Sequence, residues 1–356
     1  MPPSLSCCQT RLRPGSRVAI VSPSFGAPGL FPHVHELAMQ RLEHELQLIP
    51  VEYPTTRQIG ATPRERAADL NAAFADTSIQ AIMATIGGDD QITVLPFLDS
   101  EVISRNPKPF FGYSDNTNLL NYLWNLGMSS YHGGSTMVHL ARPGGLHPLS
   151  TSSLRAALFG GGDFELHPVD VFNEDELDWS DATFSDPNAV HVPPLVQPST
   201  GFYWHQPNRV ISGPSWGGNL EILDWNLSAS RWIRTDVTDY AGCVLLLETS
   251  EEMPSARYVF RTLRNAGERG LLAQFPAVVV ARPKSSNGVV QPPLEQRIQY
   301  RQEQREAILK AFAHYNPDAM IVFDVDFGHT DPQWILPYGG VITVNGPQRR
   351  IVAHFG

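Results

Sequence analysis

In the stretch FFGYSDN, residues 110–116, apolar residues are followed directly by polar ones. Leu119, Leu120 and Leu123 come next at helical spacing. This pattern predicts a short buried strand, a sharp turn and a helix. A serine on such a turn has an exposed hydroxyl, and backbone N–H groups at the helix N-terminus can hold a developing oxyanion. A serine that only caps the helix gives the same pattern. Ser114 is therefore a candidate nucleophile, with helix capping as the alternative.

Strand and helix patterns alternate on both sides of this stretch. Buried strands are predicted at 17–21 and 81–86, and helices at 34–48 and 62–74. Alternation of this kind predicts a parallel sheet that is covered by helices on both faces. The first half of the chain is therefore expected to form an α/β domain.

Composition divides the rest of the chain, and 356 residues is long for a single core. We expect an N-terminal α/β domain at 1–162. Residues 163–208 are rich in Pro, Asp and Ser, which predicts a linker and an active-site loop with little regular structure. Strand-like runs dominate 209–356, which predicts a β-rich C-terminal domain.

The charge and cysteine content exclude several classes of protein. Lysine and arginine number 26 against 36 acidic residues, a net charge of −10, and no basic run suggests nucleic-acid binding. No stretch of 18 apolar residues predicts a membrane span. The three cysteines form no CxxC pair, so a zinc cluster is not expected, and the N-terminus has no secretory apolar core. These features predict a cytoplasmic protein.

Three further segments place reactive groups at the ends of predicted strands. Two glycines follow a strand within TIGGDD, residues 85–90, where backbone N–H groups could approach a ligand. Glu248 directly follows the apolar run 243–247, and a partly buried carboxylate needs a partner such as a catalytic imidazole. His329 lies on a glycine-hinged loop after a strand, a suitable place for a general base.

The segment around His329 also permits a metal site. Asp324 and Asp326 would share one face of a strand, with His329 and Asp331 close by. Carboxylate spacing specifies a metal only loosely, and no second histidine-rich motif accompanies the cluster. We therefore expect no metal and no organic cofactor.

Taken in order, these segments resemble the LD-carboxypeptidase family, which includes the microcin C immunity peptidases. The similarity covers nearly the whole chain. It is carried by VAIVSPS at 18–24, TIGG at 85–88, PKPFFGYSD at 107–115, HGG at 132–134, GGNL at 217–220, LE at 247–248 and FGH at 327–329.

The resemblance implies a fold and a catalytic triad. It implies a flavodoxin-like N-terminal domain and a β-rich C-terminal domain, with the active site at their interface. It also implies Ser114 as nucleophile, Glu248 as orienting acid and His329 as general base. Homodimers are expected of the family.

The resemblance also implies residues that bind the substrate. The expected oxyanion donors are backbone N–H groups of Gly88 or Asp89 and of Asp115. Asn219 lies in the GGNL segment. Aromatic residues of the 163–208 loop are expected to stack on a nucleobase, and Trp179 and Trp204 are the candidates, although packing of the domain interface explains them equally well.

The residues after the double glycine indicate a branch of the family. Asp89, Asp90 and Gln91 stand there, which is more similar to the microcin-immunity branch than to cell-wall carboxypeptidases. We therefore predict a serine peptidase or amidase that acts on peptidyl- or aminoacyl-nucleotide compounds. The acidic pair could instead favour a cationic substrate group. The alternatives are a murein L,D-carboxypeptidase acting on tetrapeptides and a non-catalytic ligand-binding protein on the same scaffold.

Overall fold

The computed structural model describes residues 11–174, 176–181, 184 and 196–355. Its strands are β1 Arg17–Val21, β2 Ile49–Glu52, β3 Ile79–Ala84, β4 Phe110–Gly112, β5 Ser130–His132, β6 Gly162–Leu166, β7 Val171–Asn173, β8 Val196–Pro198, β9 Tyr203–His205, β10 Val210–Asn219, β11 Val244–Glu248, β12 Ala277–Ala281, β13 Met320–Val325, β14 Leu336–Tyr338, β15 Val341–Asn345 and β16 Arg350–Phe355. Its α-helices are α1 Pro32–His44, α2 Pro63–Ala75, α3 Ser100–Arg105, α4 Thr117–Asn125, α5 Pro148–Phe159, α6 Leu220–Ser228, α7 Ala256–Glu268 and α8 Leu294–Tyr315.

The first large sheet has six strands in the order β14-β5-β4-β3-β1-β2. The strands from the N-terminal half run parallel, and β14 joins them antiparallel to β5. Strands β1 and β3 are almost wholly apolar and buried, as expected for a sheet with helices on both faces. This is the parallel α/β arrangement that the sequence predicts.

The second large sheet has eight strands in the order β6-β16-β15-β10-β11-β12-β13-β9. Its centre, β10 to β13, is parallel, and antiparallel strands flank it on both sides. Helices α6, α7 and α8 alternate with the parallel strands. The C-terminal half is thus a mixed α/β structure that contains more helix than the sequence suggested.

The described part of the region 163–208 contains four short strands, which the sequence pattern did not predict. Strands β6 and β9 form the two edges of the eight-stranded sheet, and β7 pairs with β8 in a separate two-stranded ladder. These strands are short, and β6 and β9 pair with segments distant in sequence, so a local pattern does not predict them. No helix in the part of the chain that the structure describes is long and apolar enough to cross a membrane.

Strand ends from both sheets supply the residues of the candidate site. Ser114 follows β4 of the six-stranded sheet, whereas Glu248 ends β11 and His329 follows β13 of the eight-stranded sheet. Ligand sites in α/β proteins commonly lie at the carboxyl ends of parallel strands. Strand β14 comes from the C-terminal half but completes the first sheet, and so ties the two sheets together.

Candidate active site

Ser114 lies on a strained turn between β4 and α4. Its φ is +61°, in the left-handed region that side chains other than glycine rarely adopt. The residues Ser114–Asn116 form one turn of 3-10 helix that leads into α4. Strained backbone of this kind concentrates at functional sites, where the surrounding structure maintains it.

The backbone of Gly87 packs directly against Ser114. A Cβ atom at position 87 would lie 2.9 Å from the Cβ and 3.0 Å from the Oγ of Ser114, closer than side chains tolerate. Glycine is therefore required at this position. Gly87 belongs to the predicted double-glycine turn, but the sequence pattern does not identify it as the residue in contact with the serine.

The predicted oxyanion residues occupy two different environments. Gly88 and Asp89 are exposed and line the cavity beside Ser114. The Asp115 side chain is buried instead, where it accepts hydrogen bonds from the Gln91 backbone N–H and the Asn118 side chain, both at 2.9 Å. Burial raises the pKa of the Asp115 carboxyl to about 6. Its carboxyl group therefore braces the segment after the double glycine, and only its backbone N–H, at the start of the helix, could serve an oxyanion.

Glu248 and His329 form a short, buried pair. The His329 Nδ1 atom lies 2.6 Å from the Glu248 Oε2 atom, and the two side chains are 8% and 0% exposed. Burial alone would raise the pKa of Glu248, but His329 and His132 more than offset this and lower it to about 2. The carboxylate is therefore charged at neutral pH and can hold the imidazole in one orientation.

A second carboxylate faces the other nitrogen of His329. The Glu251 Oε2 atom lies 3.4 Å from the His329 Nε2 atom, and the Glu251 side chain is 50% exposed. Burial lowers the pKa of His329, but the charges of Glu248 and Glu251 outweigh it and raise the pKa to about 9. Glu251 lies three residues beyond the predicted acid and was not among the predicted site residues.

Ser114 and His329 line the same cavity, which has a volume of about 1440 Å³. Tyr113, the residue before Ser114, places its ring 5.0 Å from the His329 ring. The three lysine and arginine side chains that line the described part of the cavity are each paired with a carboxylate: Arg66 with Asp90 at 2.7 Å, Arg142 with Asp331 at 2.5 Å and Lys284 with Glu176 at 3.4 Å. Asp89, Glu251 and Glu252 add further negative charge to the lining.

The structure separates the three predicted substrate-binding residues. Trp179 lines the cavity, and its ring lies 5.6 Å from that of Phe31. Trp204 does not line it, because β9 places this residue opposite Val322 at the edge of the eight-stranded sheet. Asn219 also lies outside the lining, where its side chain caps α6 by accepting the Ile222 N–H at 3.0 Å. The direct roles of Trp204 and Asn219 in binding therefore stay predictions.

The acidic residues of the alternative metal site are held apart by separate arginines. The pairs are Asp324 with Arg305 at 2.5 Å, Asp326 with Arg282 at 3.2 Å and Asp331 with Arg142 at 2.5 Å. Within residues 11–174, 176–181, 184 and 196–355, no group of three or more His, Cys, Asp or Glu side chains could hold a metal ion. The ion pairs of these acids with arginine therefore stabilise the loop around His329.

The segments that carry this geometry match known protein domains. Residues 18–133 match the LD-carboxypeptidase N-terminal domain, and residues 212–344 match the LD-carboxypeptidase C-terminal domain. The chain belongs to the LD-carboxypeptidase family. The resemblance stated from the sequence is therefore confirmed, and the family is one of serine peptidases.

Relatives in this family carry two kinds of name. The carboxypeptidase-like protein YocD of Bacillus subtilis is 24% identical over 341 residues, which cover 94% of this chain and 95% of YocD. The microcin C7 self-immunity protein MccF of Escherichia coli is 27% identical over 194 residues, which cover 54% of this chain and 53% of MccF.

Solved structures of the LD-carboxypeptidase family share this fold. An MccF-like protein from Streptococcus pneumoniae, in complex with AMP, has a TM-score of 0.82 and 26% identity, covering 96% of this chain and 99% of its own. MccF in complex with glutamyl sulfamoyl guanosine has a TM-score of 0.81 and 20% identity, covering 99% and 98%. The predicted fold class, two-domain and α/β, is thereby confirmed.

Proposed function

We propose that this protein is a serine amidase in which Ser114, His329 and Glu248 form a catalytic triad. The observation that carries the proposal is the buried His329–Glu248 hydrogen bond of 2.6 Å, on a histidine that shares a cavity with a strained, cavity-lining serine. A carboxylate, an imidazole and a hydroxyl that a substrate can reach are the groups that acyl transfer by this mechanism requires.

Each group has a defined part in the proposed reaction. The Glu248 carboxylate accepts a hydrogen bond from the Nδ1–H of His329. The Nε2 atom is then left to accept the Ser114 proton as the hydroxyl attacks an amide carbonyl. The new C–O bond places negative charge on the carbonyl oxygen. Backbone N–H groups of Gly88 or Asp89 and of Asp115 would stabilise that charge, and each such donor is worth about 3 kcal/mol of barrier.

The tetrahedral intermediate then collapses. His329 returns the proton to the leaving nitrogen, the C–N bond breaks, and an acyl-enzyme remains on Ser114. Water, deprotonated by His329, hydrolyses this ester and restores the serine. The chain's own residues supply every proton transfer in this scheme.

We propose acyl-nucleotide amides as the substrate class. The described part of the 163–208 region brings two aromatic side chains, Trp179 and Phe184, to the cavity lining, and aromatic rings suit the stacking of a base. Structures similar to this one are complexes with AMP, glutamyl sulfamoyl guanosine and aspartyl sulfamoyl adenosine. The carboxylates of Asp89 and Glu252 in the lining would also favour the free ammonium group of an aminoacyl moiety.

The alternative substrate is a murein tetrapeptide, as the name of the family suggests. Its terminal carboxylate would need a cationic partner, and the described cavity cations already have carboxylate partners. We therefore propose the tetrapeptide as the second substrate class. A non-catalytic ligand-binding protein is the remaining alternative, and a cytoplasmic homodimer is the form that we propose for the active species.

A cleavage assay followed by mass spectrometry tests the proposal. An aminoacyl-sulfamoyl adenosine amide and a murein tetrapeptide with a terminal D-residue are incubated side by side with wild type and with Ser114→Ala. We expect cleavage of the adenosine compound by the wild type alone, unchanged by a chelator, and retained binding by Ser114→Ala. Cleavage of only the tetrapeptide would make the protein a cell-wall carboxypeptidase, and full activity of Ser114→Ala would refute the triad.

A further inference from the structure

One oxygen of the Glu248 carboxylate has no hydrogen-bond partner among the described residues. Its Oε2 atom is bound to His329, whereas its Oε1 atom is buried and unbonded. A buried carboxylate oxygen without a donor loses its hydration and gains nothing in return. An unbonded oxygen also leaves the carboxylate free to rotate about its last bond, which would move Oε2 away from the imidazole.

His132 is the polar side chain that faces this oxygen. Its Nε2 atom lies 3.9 Å from Glu248 Oε1, and both side chains are fully buried. Neither ring nitrogen of His132 has a hydrogen-bond partner within the described structure. The ring is packed instead between Phe327, at 5.4 Å, and Tyr113, at 5.8 Å, which fix its plane. Two unsatisfied buried groups of complementary chemistry thus face each other, slightly beyond hydrogen-bond length.

The position of His132 in the fold gives the contact its significance. His132 ends β5 of the six-stranded sheet, where it is in register with Gly112, two residues before Ser114. Glu248 ends β11 of the eight-stranded sheet. A bond between them would connect the sheet that bears the nucleophile with the sheet that bears the acid and the base.

We propose that His132 is a positioning residue for the triad, donating its Nε2–H to Glu248 Oε1 so that Oε2 stays directed at His329. The inference rests on the proposed function, since it assigns a role within the same triad. The low pKa of Glu248, to which His132 contributes, agrees with a second donor on the carboxylate. Tyr113 and His139 are the other titratable groups near His132, and neither reaches Oε1 in the described structure.

Two amide variants separate hydrogen bonding from packing. The amide nitrogen of His132→Gln can occupy the place of Nε2, whereas that of His132→Asn is one methylene too short. A hydrogen bond to a charged group is worth about 10- to 100-fold in rate. We expect His132→Asn to lower kcat by about that factor with KM within about twofold, and His132→Gln to keep most of the wild-type kcat.

The rate of covalent labelling of Ser114 by a fluorophosphonate supplies a readout that needs no substrate. The label requires the hydroxyl proton to pass to His329, so it reports the orientation of the imidazole. Thermal unfolding shows that both variants are folded, and Ser114→Ala is the blank. Equal labelling rates for folded His132→Asn and His132→Gln would overturn the inference. Absence of labelling in the wild type would instead refute the proposed function.

Discussion

Replacing Glu251 with glutamine is expected to make His329 a base at lower pH. The Glu251 carboxylate lies 3.4 Å from the His329 Nε2 atom, the nitrogen that must lose its proton before it can accept one from Ser114. A negative charge beside it stabilises the protonated imidazole and contributes to a pKa of about 9. Removing that charge lowers the pKa, so the acid limb of the activity profile moves to lower pH.

The size of this shift follows from the exposure of Glu251. Its side chain is 50% exposed, so solvent screens the interaction, and ion pairs of this kind are worth about 0.2–1 kcal/mol. One pKa unit corresponds to about 1.4 kcal/mol. We therefore expect a downward shift of about 0.1 to 0.7 pH unit.

The rate of Ser114 labelling by a fluorophosphonate, measured against pH, reports the pKa of the free enzyme. Glu252→Gln is the matched control, because it removes the same charge from the cavity lining at a residue without a contact to His329 in the described structure. The pH profile of labelling for Glu252→Gln should superpose on that of the wild type. A Glu251→Gln profile that superposes on the wild type, or moves to higher pH, would contradict the reasoning.

Three further outcomes are expected. Gly87→Ala should lower kcat by about 100-fold, because the new Cβ would lie only 2.9 Å from the Ser114 Cβ and would push the serine out of position. An unchanged kcat would show that the turn can relax. Trp179→Ala should raise KM for an adenosine-bearing substrate about 5- to 150-fold, the range for base stacking, whereas Trp204→Ala should lower only Tm; equal KM effects would remove the stacking role. The raised pKa of His329 stabilises the fold fully below its ordinary 6.5, and this contribution is lost as pH rises through about 9. Wild-type Tm should therefore fall more than that of His329→Gln over this interval, and parallel curves would argue against the ion pair.

Local pattern was sufficient to predict the strand, turn and helix around Ser114. The apolar run, the polar turn and the helical spacing lie within about one dozen residues, so each element is specified by its own segment. The pairing of Glu248 with His329 was different. The residues themselves indicated only two candidate groups at strand ends, and their assignment as partners came from the family resemblance.

Pairings between distant segments are what the sequence did not reveal. The strand that contains Trp204 pairs with β13, more than one hundred residues away, which takes the ring to a sheet edge and away from the cavity. Strand β14 enters the first sheet although it belongs to the second half of the chain. Register between remote strands depends on packing in three dimensions, so no window of sequence contains it.

The division of the proposed catalytic groups between two sheets has a consequence for biosynthesis. A ribosome makes Ser114 with its strained turn early, but the base and the strand β14 that closes the first sheet come from the last part of the chain. A nascent or truncated polypeptide therefore carries a serine with no partner to activate it. If the proposed triad is correct, hydrolysis requires the second half to have folded onto the first, and incomplete chains should be inactive.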